Sequence, residues 1–210
     1  MNNSFEKKAG IALIIFTLLI VLTMGLHPSG GSVEHIINIS GVIAITHSIA
    51  ILSVPFGWIG FWGLTRKIGS DHFGSVLAFA MISLGLIAII FAATTNGLVL
   101  PIFLQHYKDA TPETLASIDP IMRYGFAINH AFDYIYTASF SLAILSWSIT
   151  MQLTQKMPAW IGWMGISIAV ISIVIIFAGV AVNNLFGLRI FGALIVAWTL
   201  LMGINLYKQR

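Results

Sequence analysis

The chain has 210 residues, of which 58% are hydrophobic and 8% charged, with a formal net charge of +3 and a mean hydropathy of +0.96. A soluble domain carries about 25% charged residues, so this composition excludes a water-soluble globular fold and reads as one integral membrane domain over residues 1–210. The absence of cysteine excludes disulfides, zinc–thiolate sites, iron–sulfur clusters and thiol catalysis, and the scattered basic residues form no patch of the kind nucleic acid needs.

A polar tail ending in Lys7-Lys8 precedes the first apolar run, residues 9–26. The run is long for a signal-peptide core and lacks a small-x-small cleavage site, so it reads as the first span. The loop His27-Pro28-Ser29-Gly30-Gly31-Ser32-Val33-Glu34-His35 leads to a second helix over 36–64. This helix exceeds the ~20 residues a crossing needs and is therefore tilted or projecting; it ends at Thr65-Arg66-Lys67. A third helix is expected over 75–103, interrupted by Thr94-Thr95-Asn96-Gly97 and Pro101. Such an interruption marks a kink or partial unwinding, tolerated at membrane depth only where protein or water covers the backbone.

The loop 104–119 carries His106, Asp109, Glu113 and Asp119. Asp119-Pro120 combines a good N-cap with a first-turn proline and predicts a fourth helix over 120–152. Helices over 159–182 and 188–206 follow, separated by a tight turn at Asn183-Asn184-Leu185-Phe186-Gly187. The expected fold is thus an all-α, polytopic bundle of six transmembrane helices.

With six spans both termini share a side, which then carries Lys7, Lys8, Arg66, Lys67, Lys156, Lys208 and Arg210, against Lys108, Arg123 and Arg189 on the other. By the positive-inside rule both termini are expected in the cytoplasm, with the lipid bilayer as the main partner; Trp58, Trp62, Trp160 and Trp163 fall near that interface. An internal echo matches Ser48–Ser53 with Ser141–Ser146, Leu64–Lys67 with Leu153–Lys156 and Ile89–Ala92 with Ile175–Ala178. It reads either as a parallel duplication of helices two and three as four and five, or as coincidence in a chain rich in Ile, Leu and Ala.

The fourth helix contradicts its apolar setting. Arg123, His130, Asp133, Tyr134, Thr137 and Ser141 fall within about 100° of one another on a helical wheel, a polar stripe that cannot face lipid. Helical rise puts His47 about 18 Å below His35, His130 and Asp133 about 15 and 20 Å below Pro120, and Asn96 about 10 Å below Phe103. A shared pocket is therefore expected, lined by His47, Asn96, His130, Asp133, Tyr134 and Thr137, with His27, His35, His106, Arg123, Asn183 and Asn184 near its mouth.

Four uses of that pocket stay open. It can bind or transport a small molecule. His130, Asp133 and His47 can ligate a divalent metal in a membrane enzyme, although neither His-x-x-x-His nor His-Glu-x-x-His occurs. His47 and His130 can serve as axial ligands of haem b. Alternatively, His130 and Asp133 hydrogen-bond each other or neighbouring helices as glue in a structural or partner-binding bundle.

At His27-Pro28-Ser29-Gly30-Gly31, His47-Ser48 and Leu64-Thr65-Arg66-Lys67 the chain resembles a loose group of bacterial six-helix membrane proteins with no assigned activity. The resemblance implies a bacterial cytoplasmic membrane and six helices, and no reaction.

Overall fold

The computed structural model describes residues 3–28, 31–178 and 185–208, and their regular structure is entirely helical. Helix α1 (Asn3–Leu26) begins within the polar tail rather than at its apolar edge. Glu6, in its first turn, suits the positive end of the helix dipole and pairs with Lys67 at 3.6 Å, while Arg66 lies 4.8 Å over the Phe5 ring.

The expected second helix is two pieces, α2 (Val33–Asn38) and α3 (Ser40–Gly69). Ser32 caps α2 by accepting from the His35 N–H at 3.3 Å. The break at Ile39 is bridged from afar: the Gln105 amide donates to the Ser40 hydroxyl at 2.7 Å and to the Ile37 carbonyl at 3.4 Å. Gly69 ends α3 at φ +135°, a backbone conformation that disfavours any side chain.

The third helix is not unwound. Helix α4 (Phe73–Ala92), a π-helical segment (Ala93–Val99) and α5 (Leu100–Gln105) form one continuous rod. Within it the Leu100 N–H reaches back to the Thr95 carbonyl, five residues away. Pro101 has no N–H and its ring crowds the carbonyl four residues earlier, and a widened turn relieves that crowding without exposing the backbone.

Helix α6 (Pro112–Thr154) starts earlier than the Asp119-Pro120 signal indicates. Thr111 is its N-cap, accepting from the Thr114 N–H at 3.4 Å, with Pro112 in the first turn. Asp119 is spent instead on Arg123, 2.6 Å away, and Pro120 is exposed, where the carbonyl it leaves unpaired can be solvated. Helices α7 (Ala159–Phe177) and α8 (Leu185–Lys208) complete the fold. Asn183 and Asn184 lie outside the described residues.

Helix α1 packs on α3 and α8, α4 on α3 and α6, and α6 on α7. Lipid supplies little hydrophobic drive between helices, so close approach of small residues does much of the holding. Gly10 of α1 faces the Gly203 and Tyr207 backbone of α8, Gly63 of α3 faces Ala9, and Gly85 of α4 takes the Phe140 ring of α6. At the centre Phe61 stacks on Trp147 at 5.3 Å and Trp147 on Trp198 at 6.3 Å, joining α3, α6 and α8.

Among the described residues five helices, Ser4–Leu26, Ser40–Gly69, Phe73–Gln105, Ala159–Phe177 and Arg189–Lys208, are long and apolar enough to cross a membrane, consistent with a helical membrane bundle. Their outward residues, such as Leu18, Ile45, Leu52, Phe91 and Val174, are exposed and apolar, as a lipid-facing surface requires. The start of α1, the ends of α3 and α8 and the α6–α7 turn with Lys156 gather at one end of the bundle, the basic end.

Candidate functional site

Away from the basic end, α1, α3, the π segment, α6 and α8 part around a cavity of about 360 Å³. Ile20, Met24, Ile43, Ile89, Leu100 and Phe126 give it apolar walls, and His27, His47, Asn96, Asn129, His130, Asp133 and Tyr136 interrupt them.

His47 is held on three sides. Its Nδ1 donates to the Ile43 carbonyl at 2.8 Å, one helical turn back along α3. Its ring rests on Gly97 of the π segment, where the lack of a Cβ leaves room for it. The third neighbour is His27, just past the end of α1, with ring centroids 5.1 Å apart and planes tilted by 58°.

His27 donates from Nδ1 to the Pro28 carbonyl at 3.0 Å, while its own carbonyl accepts from Arg189 at 3.3 Å. Burial pushes the His27 pKa below its ordinary 6.5; the Pro28 hydrogen bond opposes that shift and the Arg189 charge adds to it. Asn96 sits in the π segment with its Oδ1 buried and without a hydrogen-bond partner among the described residues. A π turn shifts the register of the side chains that follow it, and here Asn96 reaches the cavity wall while Gly97 lies against His47.

On α6 the Asp133 carboxylate accepts from the Asn129 amide at 3.0 Å, and the Asp133 carbonyl accepts from the Thr137 hydroxyl at 2.7 Å. Ser141 repeats that pattern, donating to the Thr137 carbonyl at 2.8 Å. The lower half of the polar stripe is therefore a run of hydroxyls bonded back to their own helix, and Thr137 is buried rather than part of the cavity wall.

The sequence expectations divide accordingly. His47, Asn96, His130 and Asp133 line one cavity, and His27 joins them in its wall instead of standing at the mouth. Tyr134 lies on an exposed face of α6, and His35, His106 and Arg123 are also away from the cavity. His130 and Asp133 form no ion pair among the described residues, because the carboxylate turns to Asn129 one turn back.

The metal set His130, Asp133 and His47 is not assembled either: no group of three or more His, Asp or Glu among the described residues could hold an ion. Helix α6 supplies an exposed His130 and a carboxylate bonded within its own helix, while His47 is fixed on the other wall by Ile43 and Gly97. Asn129 and Tyr136 also line the wall, beyond the residues the sequence points to. The i, i+4 spacing of Asn129 and Asp133 is a readable signal for the first; Tyr136, packed on Phe140 and Phe191, gives none.

Comparison with protein-family models, with curated proteins and with solved structures finds no match.

Proposed function

We propose that the protein spans the membrane six times and that its cavity holds a small, mainly apolar molecule with polar groups, for binding or transport. The cavity carries this reading. Its ≈360 Å³ falls in the ~300–1,000 Å³ range of small-molecule sites, and its apolar walls are broken by a few convergent polar groups. An unpartnered amide oxygen on Asn96, and an acid on Asp133 without a cation beside it among the described residues, are groups that a ligand would satisfy.

Helix α6 is the sixth span in this proposal. Its hydroxyls and Asp133 keep it out of the strongly apolar class, but Ser139, Ser141, Ser148 and Thr150 are buried against its neighbours, so lipid meets little of its polarity. The basic end, with Lys7, Lys8, Arg66, Lys67, Lys156 and Lys208, lies in the cytoplasm, together with both termini. The hairpins α3–α4 and α6–α7 both turn at that end, the orientation a parallel repeat would give.

Gly192 on α8 lines the cavity, and among the described residues a Cβ built there meets only the tip of Met24 at 3.5 Å, so Gly192→Trp is the substitution chosen to fill the space. Solvent extracts of purified wild-type and Gly192→Trp protein, compared by mass spectrometry, test the reading. A compound stoichiometric with wild type and depleted in the variant supports it; identical extracts count against it.

A further inference from the structure

We infer that His27 and His47 form a two-imidazole site for a divalent transition-metal ion in the wall of the same cavity, an inference that goes beyond the small-molecule reading and does not rest on it. Each Nδ1 lies within hydrogen-bond distance of a backbone carbonyl, Pro28 at 3.0 Å and Ile43 at 2.8 Å. A carbonyl oxygen can only accept, so each Nδ1 carries the proton and each neutral ring keeps its lone pair on Nε2. Metal-binding histidines have this arrangement: the second nitrogen donates to a carbonyl or carboxylate, which fixes the tautomer and the ring orientation.

The separation agrees. Two imidazoles bound through Nε2 to one tetrahedral ion, with metal–nitrogen bonds of ~2.0–2.1 Å, bring their ring centroids about 5.2 Å apart. The observed separation is 5.1 Å, with the planes tilted by 58° rather than stacked. Linear two-coordination would need centroids more than 6 Å apart by the same bond lengths, roughly, and is excluded.

The site is also preorganised. The two rings come from different elements, the end of α1 and the N-terminal third of α3, and Gly97 supports the His47 ring from beneath. Only two protein nitrogens take part, which leaves coordination positions for exogenous ligands; the Asn96 Oδ1 on the same wall, unpartnered among the described residues, is a hydrogen-bond acceptor for whatever fills them. Imidazole suits Cu2+, Zn2+ and Ni2+; the tetrahedral separation fits Zn2+ most directly, while tetragonal Cu2+ with adjacent imidazoles needs centroids about 4.5 Å apart, roughly 0.6 Å closer, and is the probe because it binds nitrogen sites most tightly.

The experiment uses tag-free, full-length protein in detergent, stripped with chelator and titrated with Cu2+. Electron spin-echo modulation from the remote imidazole nitrogens counts the histidines bound. The expected result is one Cu2+ per chain with two imidazoles, falling to one imidazole and at least tenfold weaker binding in His27→Gln and in His47→Gln. The His35→Gln/His106→Gln double variant is expected to match wild type. Zero or one imidazole in wild type overturns the site whatever the variants do, and so does a two-imidazole signal that survives both single substitutions or is lost with His35 and His106. A wild type without stoichiometric Cu2+ leaves His27 and His47 as a tilted aromatic pair and ends the proposal.

Discussion

The His47 ring lies directly on Gly97, and a Cβ at position 97 would overlap the Cβ and Cγ of His47. Glycine normally weakens a helix by roughly 0.5–1 kcal/mol relative to alanine, so Gly97→Ala should stabilise if the position were free. Here the overlap involves the stiff root of the histidine, and overpacking of that kind costs about 1–3 kcal/mol. Gly97→Ala is therefore expected to lower the unfolding temperature in detergent, and His47→Ala in the same chain to recover most of the loss. An unchanged or raised Tm in the single variant would contradict the packing.

Two glycines elsewhere differ in the same respect. A Cβ at Gly10 would stand 2.7 Å from both the Gly203 carbonyl oxygen and the Tyr207 nitrogen, backbone atoms that cannot rotate away, whereas one at Gly41 meets nothing within 4 Å. Gly10→Ala should pry α1 from α8 and destabilise by about 1–3 kcal/mol, while Gly41→Ala should be neutral or stabilising by up to ~1 kcal/mol. Thermal unfolding of the two variants side by side checks the contrast, and equal effects would count against the α1–α8 contact.

Acid should weaken the fold through His27. Its folded pKa lies below the ordinary 6.5, so below about that pH the unfolded chain binds more protons than the folded one and stability falls as pH falls. The loss continues until the folded pKa is passed. His27→Gln should flatten the pH dependence of Tm between neutral and mildly acidic conditions, with His47, its ring neighbour, left in place. A slope identical to wild type would show that His27 titrates as it does in water.

How far the sequence could be read depends on whether the deciding partner was local. Composition and the apolar runs identify the helices, and Pro101 with Asn96-Gly97 marks the disturbed turn, since each effect acts within a few residues. The start of α6 went to the wrong proline because Thr111-Pro112 and Asp119-Pro120 carry the same cap signal, and only the Asp119–Arg123 pair shows which one is used for something else. The break at Ile39 depends on Gln105, far along the chain. His27 beside His47 is equally non-local: depth arithmetic brings His47, Asn96, His130 and Asp133 to comparable levels, but it does not reveal which rings touch or that the Asp133 carboxylate turns to Asn129.

Topology has its own test, helped by the absence of native cysteine. Single cysteines at Ser32, the exposed N-cap of α2, and at Ser70, exposed just past the end of α3, should react with an impermeant maleimide from opposite sides of intact cells, Ser32 from outside. Labelling of both from one side would remove the orientation assigned by charge.

The central claim is a ligand cavity within the membrane, which we propose is open to solutes from the end opposite the basic one, and the most direct measurement of it is thiol accessibility at Gly192. The Gly192→Cys side chain has open space before it and projects among the cavity residues, whereas Ile45→Cys stands on the lipid-facing side of α3, where Ile45 is 62% exposed. A hydrophilic methanethiosulfonate reagent added outside intact cells is expected to modify Gly192→Cys and to leave Ile45→Cys unreacted, because a thiolate forms in water and not in hydrocarbon. Equal silence at both positions, or modification of Ile45→Cys alone, would contradict the cavity.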